Sequence, residues 1–305
     1  MQRILEPGQI EALASRSVPR LRLPERDRVF SARAERLRHL SRGHSLAGYL
    51  ELLATLADAQ HAALQHLDVT LPDGSQRAEA QAHRMPVLPA IGWPRAAAWR
   101  GVLEGLVATI KAGPFPPAVA AACTRLATCA VGQLEAEADS LLAAEVRVAD
   151  PAAALLVMGA LQVYWVAMAT RLAPEDVALP EASGVCPVCG TLPVASIVHS
   201  RAPYAGYRYL HCGLCATEWH RVRIECTQCN AIEGVAYHSI EGGSAAIRAE
   251  SCDRCQSYRK IFYQEHDAGV DPVADDVASL TLDLLLTEAG FHRASGNPLL
   301  WQSPA

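Results

Sequence analysis

Cys186-Pro-Val-Cys189, Cys212-Gly-Leu-Cys215, Cys226-Thr-Gln-Cys229 and Cys252-Asp-Arg-Cys255 are four C-x2-C pairs, and their spacing decides how this chain is read. The gaps between pairs are 22, 10 and 22 residues, so adding 40 to each cysteine of the first half gives each cysteine of the second. This is an internal repeat of a four-cysteine module. A tetrahedral metal bound by sulfur needs four thiolates at about 2.3 Å, more than one turn supplies. Two intervening residues let one knuckle present two ligands, and a 22-residue excursion is long enough for a small hairpin that brings back a second knuckle. Equal excursions favour sequential pairing, with Cys186, Cys189, Cys212 and Cys215 as one metal site and Cys226, Cys229, Cys252 and Cys255 as the other. A cross-braced arrangement, first pair with third, also satisfies two metals. The residue after a knuckle's second cysteine tends to turn left-handed so that amides face sulfur. Gly190 and Asn230 suit that turn, whereas Ala216 and Gln256 fit it less well.

Zinc and iron both accept four sulfurs. Zinc would make each module a structural staple, and iron would add one-electron redox chemistry. With all four ligands supplied the site is closed, which disfavours hydrolytic metal catalysis. His199, His211, His220 and His238 lie near the knuckles, but the ligand count is already complete, so loop or supporting roles are expected. Cys123 and Cys129, six apart in a helical stretch, read as core thiols. The chain contains no GxGxxG, Walker loop, GxSxG or HExxH, and no acid–base or nucleophilic constellation. It reads as a non-enzyme.

Composition bounds the rest. The 305 residues suggest about two domains, half the residues are apolar, and the mean hydropathy is slightly positive, which excludes a largely disordered protein. The 27 basic and 32 acidic side chains leave a net charge of −5, without the basic excess of a nucleic-acid binder. A dication held by four thiolates is itself a formal dianion, so two such cores outweigh the 8 basic against 6 acidic residues of 185–264. Charge is also uneven: nine arginines lie between Arg16 and Arg42, while residues 265–305 hold 1 basic and 7 acidic side chains. The favoured reading is solvated helix faces that attract each other; the alternative is a docking surface for a charged peptide. The first 40 residues show no apolar leader, so a cytoplasmic protein is expected, where reduced cysteines serve as metal ligands rather than disulfides.

Residues 20–183 read as helices. A charged stretch runs from Pro24 to about Ser41 and is closed by Gly43; Ser45 is placed as the cap of the next helix, through Leu50, Leu53, Leu56 and Gln60. Residues 68–93 read as a long loop. A helix from Pro94 runs to Gly113, and a further stretch from Pro116 or Pro117, broken near Gly132, ends before Asp150. Ala152–Ala169 is apolar except for Gln162, and with Asp150-Pro151 as its start it is expected to be the central helix of a bundle rather than a membrane span. From 184 short β-type runs replace helical periodicity. Asp271-Pro272 then opens an apolar helix to Gly290 that is expected to pack on the bundle.

Several of these segments resemble the formate dehydrogenase accessory protein family of FdhE type. The resemblance is carried by Cys186-Pro-Val-Cys-Gly190, Arg208-Tyr-Leu-His-Cys-Gly-Leu-Cys215 with Glu218-Trp219-His220, Cys226-Thr-Gln-Cys229, Ala249-Glu-Ser-Cys-Asp-Arg-Cys255 and Asp271-Pro-Val-Ala-Asp-Asp-Val-Ala-Ser-Leu280. Gly290-Phe291 and Asn297-Pro298 are similar too, and Arg33–Leu37 and Tyr49–Gln60 match more loosely. The resemblance implies a cytoplasmic maturation factor for respiratory formate dehydrogenase. Such a factor binds the immature catalytic subunit before its twin-arginine export and is not itself a dehydrogenase. It also implies rubredoxin-like modules and iron at both sites, with zinc as the alternative. A rubredoxin-like electron carrier is the alternative function, ahead of a zinc-ribbon regulator of nucleic acid.

The expected fold is α+β and multidomain. It comprises an N-terminal arm (1–19), an all-α bundle (20–183), two tandem rubredoxin-like or zinc-ribbon-like modules (184–223 and 224–265), and a C-terminal helix and tail (266–305).

Overall fold

A computed structural model describes residues 18–143, 148–179 and 184–301. Most of the arm assigned to residues 1–19 lies outside these. Among the described residues seven α-helices precede Cys186: α1 (Val29–Ser41), α2 (Ala47–His66), α3 (Gly74–Ala82), α4 (Ala98–Lys111), α5 (Pro117–Thr128), α6 (Val131–Leu142) and α7 (Pro151–Ala169). The core is built around α7. Asp150 caps it by accepting from Ala153 N at 3.0 Å, Pro151 occupies its first turn, and every residue from Ala153 to Ala169 is buried. Helices α2, α4, α5 and α6 surround it. Each buried Leu, Val or Met on such a helix contributes about 1.5–3 kcal/mol, so an apolar surface on all sides is what a helix in this position requires. By length and composition α7 qualifies as a membrane span, yet 94% of its apolar window is buried inside the protein.

Local signals account for two departures from the expected helices. Residues 68–93 are not all loop, because Asp73 and Gln76 form a reciprocal capping box that starts α3. Ser45 is not a cap: α2 starts after Leu46, whose amide donates to His44 Nδ1 at 3.0 Å. The stretch from Pro117 to Leu142 breaks near Gly132 as expected, at Cys129-Ala130.

The remaining strands form one mixed sheet: β1 (Leu21–Arg22), β2 (Pro193–Val198), β3 (Arg208–Cys212), β4 (Glu218–His220), β5 (Val235–His238), β6 (Ile247–Cys252), β7 (Ser257–Tyr263) and β8 (His292–Arg293). Their order is β1-β4-β3-β2-β7-β6-β5, with β8 beside β7. Within each repeat the strands are antiparallel, and the repeats join through parallel pairing of Ser196, Ile197 and Val198 with Ile261, Phe262 and Tyr263. The two modules are therefore halves of a single sheet. The N-terminal half is not wholly helical, since Leu21 and Arg22 pair with Trp219 and Glu218 at the sheet edge. Pro24 disfavours helix for the residue before it, which suits this extended start.

The expected C-terminal helix is two, α8 (Ala274–Ala278) and α9 (Leu280–Glu288). Buried Lys260 reaches into the break and donates to the carbonyls of Asp276 and Ser279 at 2.8 and 3.1 Å, while Ser279 leaves the helical region at φ −116°, ψ 33°. Helix α8 packs on α1, as expected. Helix α9 instead sets Leu282 and Leu286 against Ala249 and Tyr258 of the second repeat, and Leu284 and Leu285 are exposed.

The arginine-rich and acidic segments meet where α1 faces α8. Arg36 contacts Asp275 at 2.6 Å and Asp267 at 2.8 Å, and Arg33 contacts Asp271 at 3.2 Å. These charges do attract each other, but the Arg36–Asp275 pair is buried rather than solvated. Breaking it leaves Asp275 uncompensated, so Arg36→Ala should lower the unfolding free energy by about 3–5 kcal/mol, measured by urea denaturation.

Candidate metal centres

The structure gathers the cysteines into two sets, Cys186, Cys189, Cys212, Cys215 and Cys226, Cys229, Cys252, Cys255, with the four sulfurs of each set within 4.8 Å of one another. This is the sequential pairing. In the first set Cys186–Cys215 and Cys189–Cys212 are 3.5 and 3.4 Å apart; in the second Cys226–Cys255 and Cys229–Cys252 are both 3.7 Å apart. Four sulfurs at about 2.3 Å from a central ion stand about 3.8 Å apart, so both sets fit a tetrahedral metal.

Each knuckle owes its shape to local backbone. All four residues after a second cysteine are left-handed: Gly190 at φ 78°, Ala216 at 58°, Asn230 at 59° and Gln256 at 53°. Ala216 and Gln256 adopt the turn despite their side chains, at a cost on the order of 1 kcal/mol each. The turns are closed by hydrogen bonds from Gly190 N to Cys186 O, Ala216 N to Cys212 O and Asn230 N to Cys226 O at 2.8–3.1 Å. The amides of Cys215 and Gln228 donate to the sulfurs of Cys212 and Cys226, both at 3.4 Å.

A second layer of hydroxyls was not read from the sequence. Thr191 Oγ1 lies 3.2 Å from both Cys189 and Cys212 Sγ, Thr217 Oγ1 lies 3.2 Å from Cys215 Sγ, and Ser257 Oγ lies 3.0 Å from Cys255 Sγ. The signal was there as C-x2-C-x-[Ser/Thr] in three of four knuckles, with Ala231 as the exception. A hydroxyl that donates at this distance stabilises thiolate, whereas Thr217 Oγ1 accepts from the Cys215 thiol. Burial pushes the Cys186 and Cys226 thiols up, the latter to about 12. Burial also opposes ionisation of Cys212 and Cys255, but hydrogen bonds from the partner sulfurs and Thr191 hold Cys212 well below its ordinary value, and Ser257 helps hold Cys255 at about 7.

The histidines stand behind the ligands. Buried His199 and His211 both contact Glu218, at 2.7 and 3.0 Å, and Arg22 reaches the same carboxylate at 3.1 Å. His238 Nε2 meets Ser251 Oγ at 2.7 Å, beside Cys252, and His220 makes edge-to-face ring contacts with Tyr207 and Tyr209. Cys123 is fully buried, whereas Cys129 is only half-buried at the end of α5.

Known proteins with this architecture can now be compared. The family model described as FdhE, N-terminal, matches residues 18–181, the FdhE central domain matches 185–223, and the FdhE C-terminal domain matches 224–300. A Protein FdhE homolog of Edwardsiella ictaluri is 44% identical over 282 residues, covering 92% of this chain and 91% of the relative.

This chain belongs to the FdhE family.

Protein FdhE of Salmonella choleraesuis is 37% identical over 297 residues, covering 97% of this chain and 96% of its own length. The crystal structure of the FdhE protein from Pseudomonas aeruginosa superposes with a TM-score of 0.85 at 38% identity, covering 94% of this chain and 100% of that one. The FdhE resemblance seen in the knuckles and at Asp271–Leu280 is thereby borne out along the whole described chain.

Glu218 makes the pH response testable. Burial would raise its carboxyl, but hydrogen bonds from His199 and His211, with their charge, outweigh that and hold it well below its ordinary value of 4.5. A depressed carboxylate contributes stability above its unfolded pKa and loses it as pH falls through the folded one. Stability should therefore drop as pH falls below about 4.5, and Glu218→Gln should remove much of that acid limb, measured as thermal midpoint against pH.

Proposed function

We propose that this chain is a maturation factor for respiratory formate dehydrogenase that binds the immature catalytic subunit in the cytoplasm before export. The observation carrying this reading is FdhE family membership along nearly the full length, including both four-cysteine sets. A binding role suits the chemistry. Four sulfurs per site leave no ligand position for substrate, and buried charges of the sheet form ion pairs with one another, such as Arg208 with Glu250 at 2.6 Å. In this reading residues 20–183 form the helical unit, 184–223 and 224–265 the two metal modules, and 266–305 the segment that ties them together.

Iron is the metal proposed for both sites. The donor set supports it: four sulfurs at tetrahedral spacing, with amide and hydroxyl donors that spread thiolate charge. Zinc fits the same ligands as a staple. Metal analysis with a visible spectrum on anaerobically purified protein separates the two, because ferric tetrathiolate is coloured and zinc is not.

The partner is tested by anaerobic pulldown with tagged full-length protein and the unexported formate dehydrogenase catalytic subunit. Specific capture of that subunit under reducing conditions is expected. No capture, with the metal sites loaded, overturns the proposal.

A further inference from the structure

The two sulfur sets share one ligand frame but are held in place by different surroundings. In the first, all four cysteines are at most 1% exposed and belong to the main hydrophobic core. Its knuckles are clasped from outside the module. Leu88 and Ala90 amides donate to the Val188 and Cys189 carbonyls, both at 2.8 Å, and Gln162 of α7 donates to Gly213 O at 2.7 Å. Leu88 is held in turn by Trp165 of α7, which donates to its carbonyl at 3.0 Å. The module's strands are flanked by β1 on one side and β7 on the other.

Among the described residues the second set has no such clasp from the helices. Cys229 and Cys255 are partly exposed, and Cys226 and Cys252 form a separate small cluster with Ala231. Its knuckles are held by Arg221 on Asn230, Arg259 on Thr227, and the His292 amide on Gln256 O. Beyond β5 no strand follows among the described residues. An open cleft of about 430 Å³, lined by Ala231, Ile232, Glu233, Gly234, Asp253 and Arg254, takes in the two residues between Cys252 and Cys255 and the chain just after the Cys226–Cys229 knuckle.

A metal leaves a closed tetrathiolate site only when a knuckle opens, so exchange follows the cost of local opening. Opening the first site must disrupt the main core and its bonds to α7, whereas opening the second disturbs one module beside an open cleft. From this difference we infer that the sites divide their work. The first permanently fastens the sheet to the helices, and the second is an exchange site that releases and takes up a divalent metal through the cleft while the fold stays intact. The inference rests on reading both sulfur sets as metal sites.

The test uses the full chain loaded anaerobically with two equivalents of zinc and mixed with excess 4-(2-pyridylazo)resorcinol, following dye absorbance and far-ultraviolet circular dichroism together. Two phases of equal amplitude are expected, the fast one about tenfold or more ahead of the slow, with helical signal retained through the fast phase. Cys255→Ser should lose the fast phase and keep the slow one. Gln162→Leu, which alters no ligand, should quicken the slow phase and leave the fast one unchanged. Where Cys255→Ser does not fold, the Gln162→Leu comparison decides. Release of both equivalents in one phase, a fast phase surviving in Cys255→Ser, or a slow phase indifferent to Gln162→Leu overturns the division of labour and leaves the metal reading standing. A chain that takes up no zinc overturns both.

Discussion

Four sulfur atoms gathered within 4.8 Å of one another, twice over, are the constraint on which the cysteine-bearing half depends. As thiolates they would repel one another strongly, and a central dication would turn that repulsion into cohesion, coupling metal binding to folding. The local backbone answers to this demand rather than to residue preference. Ala216 and Gln256 take the same left-handed turn as Gly190 and Asn230, because the geometry at sulfur outweighs the cost to a side chain. Small modules with few apolar residues of their own need such a staple. The second shows this, with only Ala231 and Val235 packed among its cysteines.

The helical half is fastened to this sheet by few but specific groups. Gln162 is the polar exception on α7, and it is spent on Gln60 Nε2 at 2.9 Å and on Gly213 O at 2.7 Å. Trp165 lies three residues on, hence on the same helix face, and holds the loop that pairs with the first knuckle. One face of one helix therefore positions both knuckles of the first site. The Arg33, Arg36 and aspartate contacts between α1 and the segment before and within α8 close the other side of the joint.

How much of this was legible follows from what is local. The C-x2-C frame, the apolar run ending at Ala169 and the helix breaks near Gly113 and Gly132 are written in neighbouring residues, and they appear as two sulfur sets and separate helices. The capping box at Asp73 and Gln76 was equally local and was overridden by the prolines around it. Pairing across the chain was not legible. Nothing near Ser196 announces Ile261 as its parallel neighbour, and nothing near Lys260 announces that its ammonium will take carbonyls from a helix 16 residues on. The attraction between arginine-rich and acidic segments could be inferred from net charge, but not its burial, since burial depends on which helix faces which.

The repeat carries the same lesson one step further. Strands β3 and β6 lie 40 residues apart, as do β4 and the middle of β7, yet the sequences between the cysteines share little. A ligand frame fixes only the knuckles, so the excursions are free to meet different neighbours. Gly190 lies against Pro86, where an added Cβ would sit 3.2 Å from the ring, whereas its counterpart Asn230 faces Arg221 and water. Strand β2 is enclosed between β3 and β7, while its counterpart β5 is an edge. Equal spacing therefore implies equal coordination but not equal access, and access is set by residues such as Pro86, Gln162 and Trp165 that lie far from the repeat in sequence.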